Sequence, residues 1–264
     1  MGSSGLRWPA MGLMIMLIAG CGPRYSVAPE PPLLTATASE LLGRLDERTK
    51  SIRTLKALVT VHPQGQPSVT ASLFFSRSAE GGPPSVRLKG FDAFGRTLFD
   101  LVSVGDRVRL TIPGEGRVLE SGPDKMDDPS LPLHSADLRL AVSALVGPFV
   151  EPGELPVIEQ AGATYLIHLV RVSGSEGRLT KRLWFERGQL QLVREEIFEN
   201  GAGEAVVEFS DYQTRSGMAV SVAEWPGRMI LTRSGTDPDR AGRLELEFHE
   251  VHPNAAIPPE EFRF

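Results

Sequence analysis

Short apolar runs with a period of two residues dominate the chain from Val59 onward. In run after run, apolar side chains recur at every second position, and Gly, Pro and Asp separate the runs. The clearest sets are Leu73 and Phe75, Val86 and Leu88, Phe99 and Leu101, Val108 and Leu110, Leu166, His168 and Val170, Leu183 and Phe185, Val206 and Glu208, and Leu244, Leu246 and Phe248. This period is typical of half-buried antiparallel strands. About eleven strands fit, so the pattern predicts a mainly β fold whose sheet curls.

The runs fall into two groups separated by a helical stretch. Short links containing Gly join the runs of the second group, which indicates hairpins and a meander. The predicted strands are residues 55–62, 69–77, 85–90, 96–104 and 108–112, followed by 164–172, 179–186, 190–198, 205–212, 218–225, 228–234 and 243–251.

Two segments have helical spacing instead. The first is expected to be capped by Ser39 and is amphipathic, with Leu41, Leu42, Leu45, Thr49 and Ile52 on one side and Glu40, Arg44, Glu47 and Arg48 on the other. The second begins at Ser135 or Asp137, ends before Gly147, and is apolar on most sides. Both helices are therefore expected to pack on the sheet, the second against its concave face.

The N-terminal segment is patterned for export. Arg7 precedes an apolar run at residues 11–18, which is too short to span a membrane, and small residues lead to Cys21. This ending resembles the bacterial lipoprotein signal, which implies that residues 1–20 are removed and that Cys21 is lipidated. The alternative is an ordinary cleaved signal near a chance cysteine. Cys21 is the only cysteine, so no disulfide framework is expected.

Residues 21–38 are rich in Pro, Ala, Ser and Thr and predict a flexible tether, which leaves residues 39–264 as the folded domain. Gly22 follows the cysteine, where the lipoprotein sorting rule of enteric bacteria has Asp for inner-membrane retention. That resemblance implies an outer-membrane anchor with the domain facing the periplasm.

Charge and motifs argue against several functions. The net charge is −5 and the Lys and Arg residues are scattered, so no nucleic-acid partner is expected. The sequence contains no nucleophile elbow, phosphate loop or dinucleotide fingerprint, and no catalytic residue can be nominated. His249 and His252 point to opposite faces of a strand, so no metal site is expected there. We therefore predict a protein without enzymatic activity and without a cofactor.

A turn at residues 90–96 carries two large aromatic side chains, Phe91 and Phe94. Turns are usually polar, so these rings need a reason. Either they fold back onto the sheet as a plug, or Phe94 projects toward lipid or a partner.

The order of parts resembles the lipoprotein-carrier superfamily, the LolA/LolB-like proteins, and within it the outer-membrane receptor branch. The stretch from Asp92 to Leu101 is similar to that branch's protruding loop and following strand, and the stretch from Leu131 to Gly147 to its proline-leucine segment and inner helix. The fold implied is a half-open antiparallel β-barrel with helices covering the concave face. The extension at residues 253–264 departs from the receptor, and its terminal aromatic rings are expected to pin it to the body.

The resemblance also implies a function and its residues. In the family the concave face binds acyl chains, so lipid or lipoprotein acyl chains would be the ligand and a periplasmic carrier protein a partner. Phe94 would then project, with Phe91 beside it. The lid candidates are Leu138, Leu140, Val142 and Leu145, and the cavity-wall candidates are Leu73, Phe75, Phe99, Leu101, Leu183 and Phe185. A different class of function stays open, a structural or sensor lipoprotein with a filled barrel that docks a periplasmic protein.

Overall fold

The alternating runs form antiparallel strands, because each run buries every second side chain and leaves the intervening ones nearer the surface. The computed structural model describes residues 32–77, 84–105, 107–121, 135–199, 202–214, 224–233 and 242–264. Some sequence-based predictions lie outside these residues: the signal segment 1–20, Cys21, most of the tether, residues 131–134 and most of the strand at 218–225.

The described residues form fifteen strands. They are β1 (Thr54–Pro63), β2 (Val69–Ser76), β3 (Ser85–Phe91), β4 (Thr97–Val104), β5 (Arg107–Ile112), β6 (Arg117–Ser121), β7 (Glu154–Ala161), β8 (Thr164–Ser173), β9 (Glu176–Glu186), β10 (Gln191–Glu199), β11 (Ala202–Ser210), β12 (Gln213–Thr214), β13 (Glu224–Trp225), β14 (Arg228–Arg233) and β15 (Gly242–Pro253).

Thirteen of the strands form one sheet, in the order β6-β5-β4-β3-β2-β1-β15-β14-β11-β10-β9-β8-β7, and β12 pairs separately with β13. Every neighbouring pair is antiparallel, and in the described residues β6 and β7 do not pair with each other. The sheet is therefore an open half-barrel. The predicted fold class is confirmed, although the sheet has thirteen strands instead of about eleven.

One face of the sheet carries the core. Leu73, Leu88, Leu101 and Leu110 are successive register partners across β2–β5, and all four are buried. Two strands differ from the expected alternation. In β8 the buried set is Tyr165, Ile167 and Leu169, whereas Leu166, His168 and Val170 are half-buried on the other face; in β11 Ala205, Val207 and Phe209 are buried instead of Val206 and Glu208. Both strands carry apolar residues in both sets, so the period alone did not choose between them.

Strand β7 was not predicted. It stands at an edge of the sheet, contains Pro156, and is exposed at every residue after Glu154. An edge strand with both faces in solvent has no reason to alternate, and proline is tolerated there.

Helix α1 (Ala38–Ser51) begins two residues earlier than expected. Its N-cap is Thr37, not Ser39: the Thr37 hydroxyl accepts from the Glu40 amide at 3.2 Å, and the Glu40 carboxylate accepts from the Thr37 amide at 2.7 Å. This reciprocal capping box explains the start of the helix. Arg48 is also not on the solvent side as expected, because it is buried with its guanidinium 5.5 Å from the Phe149 ring centroid.

Helix α2 (Ser135–Val146) confirms the second predicted helix. Leu138, Ala141 and Leu145 follow helical spacing on one face and are fully buried in the core. A second face, with Arg139, Val142, Ser143 and Val146, borders an open space. Helix α2 therefore lies between the packed core and this open space.

The C-terminal segment packs against the outer face of β3–β5. Arg87 makes a bidentate pair with Asp100, at 2.8 and 2.6 Å, and also binds Glu261. The hydrogen bonds to Asp100 are the largest cause that holds the pKa of Arg87 above its ordinary value, and burial acts in the opposite direction. The Phe264 ring lies under Arg107, 4.5 Å from its guanidinium carbon, so this terminal ring pins the segment as predicted.

Candidate functional site

The predicted wall and lid residues come together on the concave face. Leu73, Leu101, Leu138, Leu145, Leu183 and Phe185 are at most 1% exposed, and Phe75, Phe99 and Val142 are also buried. Leu140 is half-buried. Most of these side chains contact one another as a filled core, and three of them, Phe75, Leu140 and Val142, line an open space.

That space is a cavity of about 450 Å³ between α2 and the ends of β2, β3 and β4. Phe75, Val86 and Ser103 are register partners across the three strands and form its floor. The second face of α2 forms its roof. The lining is mainly apolar and includes a few polar groups, which is the usual character of a ligand site, and the volume lies within the usual range.

The C-terminal end of α2 is held by Arg77. Its guanidinium Nη2 donates to the carbonyl of Val146 and, at 3.4 Å, to the carbonyl of Thr49, near the ends of α2 and α1. A cation at two helix C-termini donates to carbonyls that lack helical partners, and it interacts favourably with the negative ends of both helix dipoles. The Thr49 hydroxyl adds a buried bond of 3.0 Å to the Gly147 carbonyl. Burial lowers the pKa of Arg77 from its ordinary value.

The N-terminal end of α2 is held by another arginine. Arg233 of β14 binds the Asp137 carboxylate at 3.3 Å and the Glu204 carboxylate at 3.5 Å. Arg77, Arg139 and Arg233 all line the cavity, and none of the three was predicted from the sequence. The sequence offered one signal for Arg77, which is its position directly after an apolar strand, two residues beyond Phe75.

A buried carboxyl lies on the opposite side of the concave face. Glu195 of β10 is 2% exposed and lies 3.8 Å from the Lys181 ammonium, which donates to the carbonyls of Pro148 and Phe149 at 3.3 Å. Burial raises the pKa of the Glu195 carboxyl, and the charges of Lys181 and Arg48 oppose that shift. A carboxylate within a predicted strand is expected to be surface charge, and the structure instead buries Glu195 in the interior.

The aromatic turn projects Phe94 and retains Phe91. Phe94 is 86% exposed, whereas Phe91 is half-buried at the end of β3. The Asp92 carboxylate accepts from the amides of Phe94 and Arg96, both at 2.9 Å, and from the Arg96 side chain at 2.6 Å. These bonds, the one from the Arg96 amide foremost, hold the pKa of Asp92 below its ordinary value. With Gly95 at a φ of 78°, the turn is a fixed support for one exposed ring.

Two further observations concern the described residues alone. They contain no group of three or more His, Cys, Asp or Glu side chains able to hold a metal ion. None of their helices has the length and apolar character needed to cross a membrane.

The sequence matches no protein-family model and no curated protein. Its structure is similar to solved ones. A domain described as an outer membrane lipoprotein-sorting protein, from Vibrio parahaemolyticus, superposes with a TM-score of 0.54 at 11% identity, covering 86% of this chain and 97% of that one. A DUF1329 family protein from Desulfovibrio piger gives a TM-score of 0.56 at 12% identity, covering 85% and 95%.

A LolA superfamily protein from Nitrosomonas europaea matches at a TM-score of 0.49 and 10% identity, covering 87% of this chain and 99% of that one. The two likenesses above 0.5 cover nearly the whole of the solved domains, and at such identities they show the fold. The chain therefore has the half-open barrel fold that is found in a lipoprotein-sorting domain.

Proposed function

We propose that this protein is a lipoprotein of the outer-membrane receptor type, anchored through acyl chains on Cys21 with its domain in the periplasm. In this proposal it binds an acyl chain of a lipid or of a lipidated protein in the cavity under α2, accepts it from a periplasmic carrier protein, and releases it to the membrane. The transfer is passive and needs neither a catalytic residue nor a cofactor.

The observation that carries the proposal is the cavity itself. Phe75, Val86, Leu140, Val142 and Val146 give it apolar walls of the kind that an acyl chain would occupy. Each square ångström of apolar surface removed from water contributes about 25 cal/mol, so a buried chain is retained without specific polar contacts. The half-barrel fold, present in a lipoprotein-sorting domain, supports the same conclusion.

The fixed turn at Asp92–Arg96 supports a membrane step. An aromatic ring that is 86% exposed on a rigid turn presents apolar area that water does not favour, and a lipid surface would cover it. We propose that Phe94 enters the membrane when cargo is released, while half-buried Phe91 keeps the base of the turn attached to the sheet.

The test of the cavity is photo-crosslinking in living cells with the full chain. Benzoylphenylalanine at Leu140, which faces the cavity, is expected to form adducts whose added mass contains acyl chains. The matched site is Val118 on β6, which is 57% exposed and outside the cavity, and it should form none. The cavity is not an acyl-binding site if the two positions give the same adducts.

The test of the turn is Phe94→Glu, with Val118→Glu as the matched exposed control. We expect Phe94→Glu to impair cargo delivery to outer-membrane vesicles while the unfolding midpoint is unchanged, because a loop tip contributes little to the core. Phe94→Leu should restore delivery. Unimpaired delivery by Phe94→Glu would remove this residue from the mechanism.

A second function, docking of a periplasmic protein, is favoured by edge strand β7. Leu155 and Val157 are 57% and 56% exposed on one face of β7, and Val172 at the end of β8 is 49% exposed. No described strand pairs with the outer edge of β7, and such an edge with apolar side chains can add an extended segment of another protein. If docking is the function, benzoylphenylalanine at Val157 gives a discrete adduct with one protein that lacks acyl chains, and benzoylphenylalanine at Leu140 gives no lipid adduct.

A further inference from the structure

The described polar side chains that line the cavity carry more positive than negative charge. Three arginines, Arg77, Arg139 and Arg233, line it together with one described carboxylate, Glu204. The three come from different elements, β14, α2 and the residue after β2, so the fold brings them together around an apolar interior. Such a surplus favours a ligand that carries negative charge.

Two of the three arginines already have partners. Arg233 binds Asp137 and Glu204, and Arg77 donates to the carbonyls of the two helix ends. Arg139 makes no hydrogen bond or ion pair with any residue that the structure describes. It is half-buried on the cavity face of α2, one turn before Val142 and Ser143.

An arginine that has no partner among the described residues and lies beside apolar walls can recognise an anionic group of a ligand. Its planar guanidinium presents paired N–H donors that match the two oxygens of a carboxylate or phosphate, and such bonds strengthen where water is partly excluded. Since the apolar walls begin immediately beside Arg139, a ligand with an anionic head and an apolar tail would satisfy both regions at once.

The volume restricts the tail. About 450 Å³ lies near the lower end of the range for sites that hold one small-molecule ligand. The rest of the concave face is filled by the buried leucines and phenylalanines of the core. The space therefore fits one acyl chain better than the several chains of a lipidated cysteine.

We propose that the cavity binds a single-chain anionic amphiphile whose carboxylate or phosphate pairs with Arg139. This inference rests on the proposed acyl-binding function and adds the class of ligand and the residue that selects it. Arg139 is here a specificity residue, because the apolar walls alone would bind a neutral chain equally well.

The test compares three photoactivatable sixteen-carbon probes on the full chain in phosphatidylcholine nanodiscs, in mildly alkaline buffer. The probes are hexadecyl phosphate, palmitate and hexadecanol, each with a diazirine in the tail. The variants are wild type, Arg139→Gln and Arg44→Gln; Arg44 is exposed on α1 and does not line the cavity. The readout is the yield of probe on peptides that contain cavity residues.

We expect wild type and Arg44→Gln to be labelled about tenfold more by an anionic probe than by hexadecanol, the ratio that one charge-assisted hydrogen bond provides. In Arg139→Gln the ratio should fall to near one with hexadecanol labelling unchanged, which also shows that the variant is folded. A preference for palmitate alone identifies a carboxylate head, and a preference for hexadecyl phosphate alone identifies a phosphate head.

Three results overturn the inference in distinguishable ways. Equal labelling of wild type by all probes, or a preference that survives in Arg139→Gln, removes the anionic head and Arg139 but leaves acyl binding standing. Labelling of the cavity by no probe in any variant overturns the acyl-binding function and this inference with it.

Discussion

The two sides of the concave face use similar strands and are filled differently. On the β2–β4 side, Phe75, Val86 and Ser103 face a cavity under α2. On the β8–β10 side, Tyr165, Leu183 and Phe185 are buried in the core. There Arg48 lies over the buried Phe149 ring, and Lys181 lies beside the buried Glu195. The strands alone do not make a cavity. What decides is the size of the side chains that the helices and their following loop place opposite each strand.

The largest loss of stability is expected from a substitution on the packed β8–β10 side. Leu183 is fully buried, so Leu183→Ala leaves a void that the surrounding side chains refill only in part. We expect the free energy of unfolding to fall by about 2–5 kcal/mol, measured by urea denaturation. A loss below about 1 kcal/mol would mean that this side is as loosely filled as the cavity side.

The second-largest loss of stability is expected at Arg77, where the C-terminal ends of α1 and α2 meet. Arg77→Gln removes the cation that binds the C-terminal carbonyls of α1 and α2, and we expect a loss of about 1–3 kcal/mol. Hydrogen exchange should accelerate at the C-terminal turn of α2. Lys50→Gln, which breaks an exposed pair with Asp46 on the surface of α1, should change stability by no more than about 0.5 kcal/mol. Equal losses in both variants would contradict the role of Arg77.

A smaller effect should depend on pH. Because burial raises the pKa of Glu195 in the folded state, the folded protein holds this proton more tightly than the unfolded chain does. Wild-type stability therefore falls as pH rises from the ordinary glutamate value of about 4.3 to the raised value. Glu195→Gln lacks this contribution, so its stability relative to wild type should increase over that window and then level off. Urea denaturation from acidic to neutral pH measures it, and a constant difference would contradict the raised pKa.

The smallest effect on stability should come from the cavity side. Leu140 is half-buried and faces existing space, so Leu140→Ala is expected to cost about 1 kcal/mol or less. Labelling by hexadecanol should nevertheless fall, because the probe loses part of its apolar wall. A stability loss equal to that of Leu183→Ala would show that the two sides are packed alike.

Sequence patterns predicted the parts of this molecule in which burial on one face was strong. The period of two located most strands, and helical spacing placed α2 on the concave face. Strand β7 was missed because an edge exposed on both faces carries no alternation. The inward face of β8 was not predicted because both of its sets are apolar.

The sequence predicted that apolar residues line the concave face, but not which of them border a cavity. The lining residues Phe75, Leu140 and Val142 and the packed residues Leu183 and Phe185 look alike in sequence, and only tertiary packing separates them. The arginines were missed for a related reason. Arg139 and Arg233 are ordinary charged residues until α2 lies across the sheet, and Arg77 becomes a helix cap only when two helices end beside it.

The pairing of β1 with β15 has a consequence for how the protein is made. Leu55 stands opposite Pro253, and the Arg53 amide donates to the Asn254 side chain across 201 positions of sequence. A sheet whose central pair joins such distant segments has a high contact order and is expected to fold in milliseconds to seconds, slower than a meander of neighbours. During synthesis, β1 therefore keeps the edge that faces β15 unpaired until β15 follows. We expect folding to be an event of the whole domain, and chaperones that shield unpaired strands to matter most during that interval.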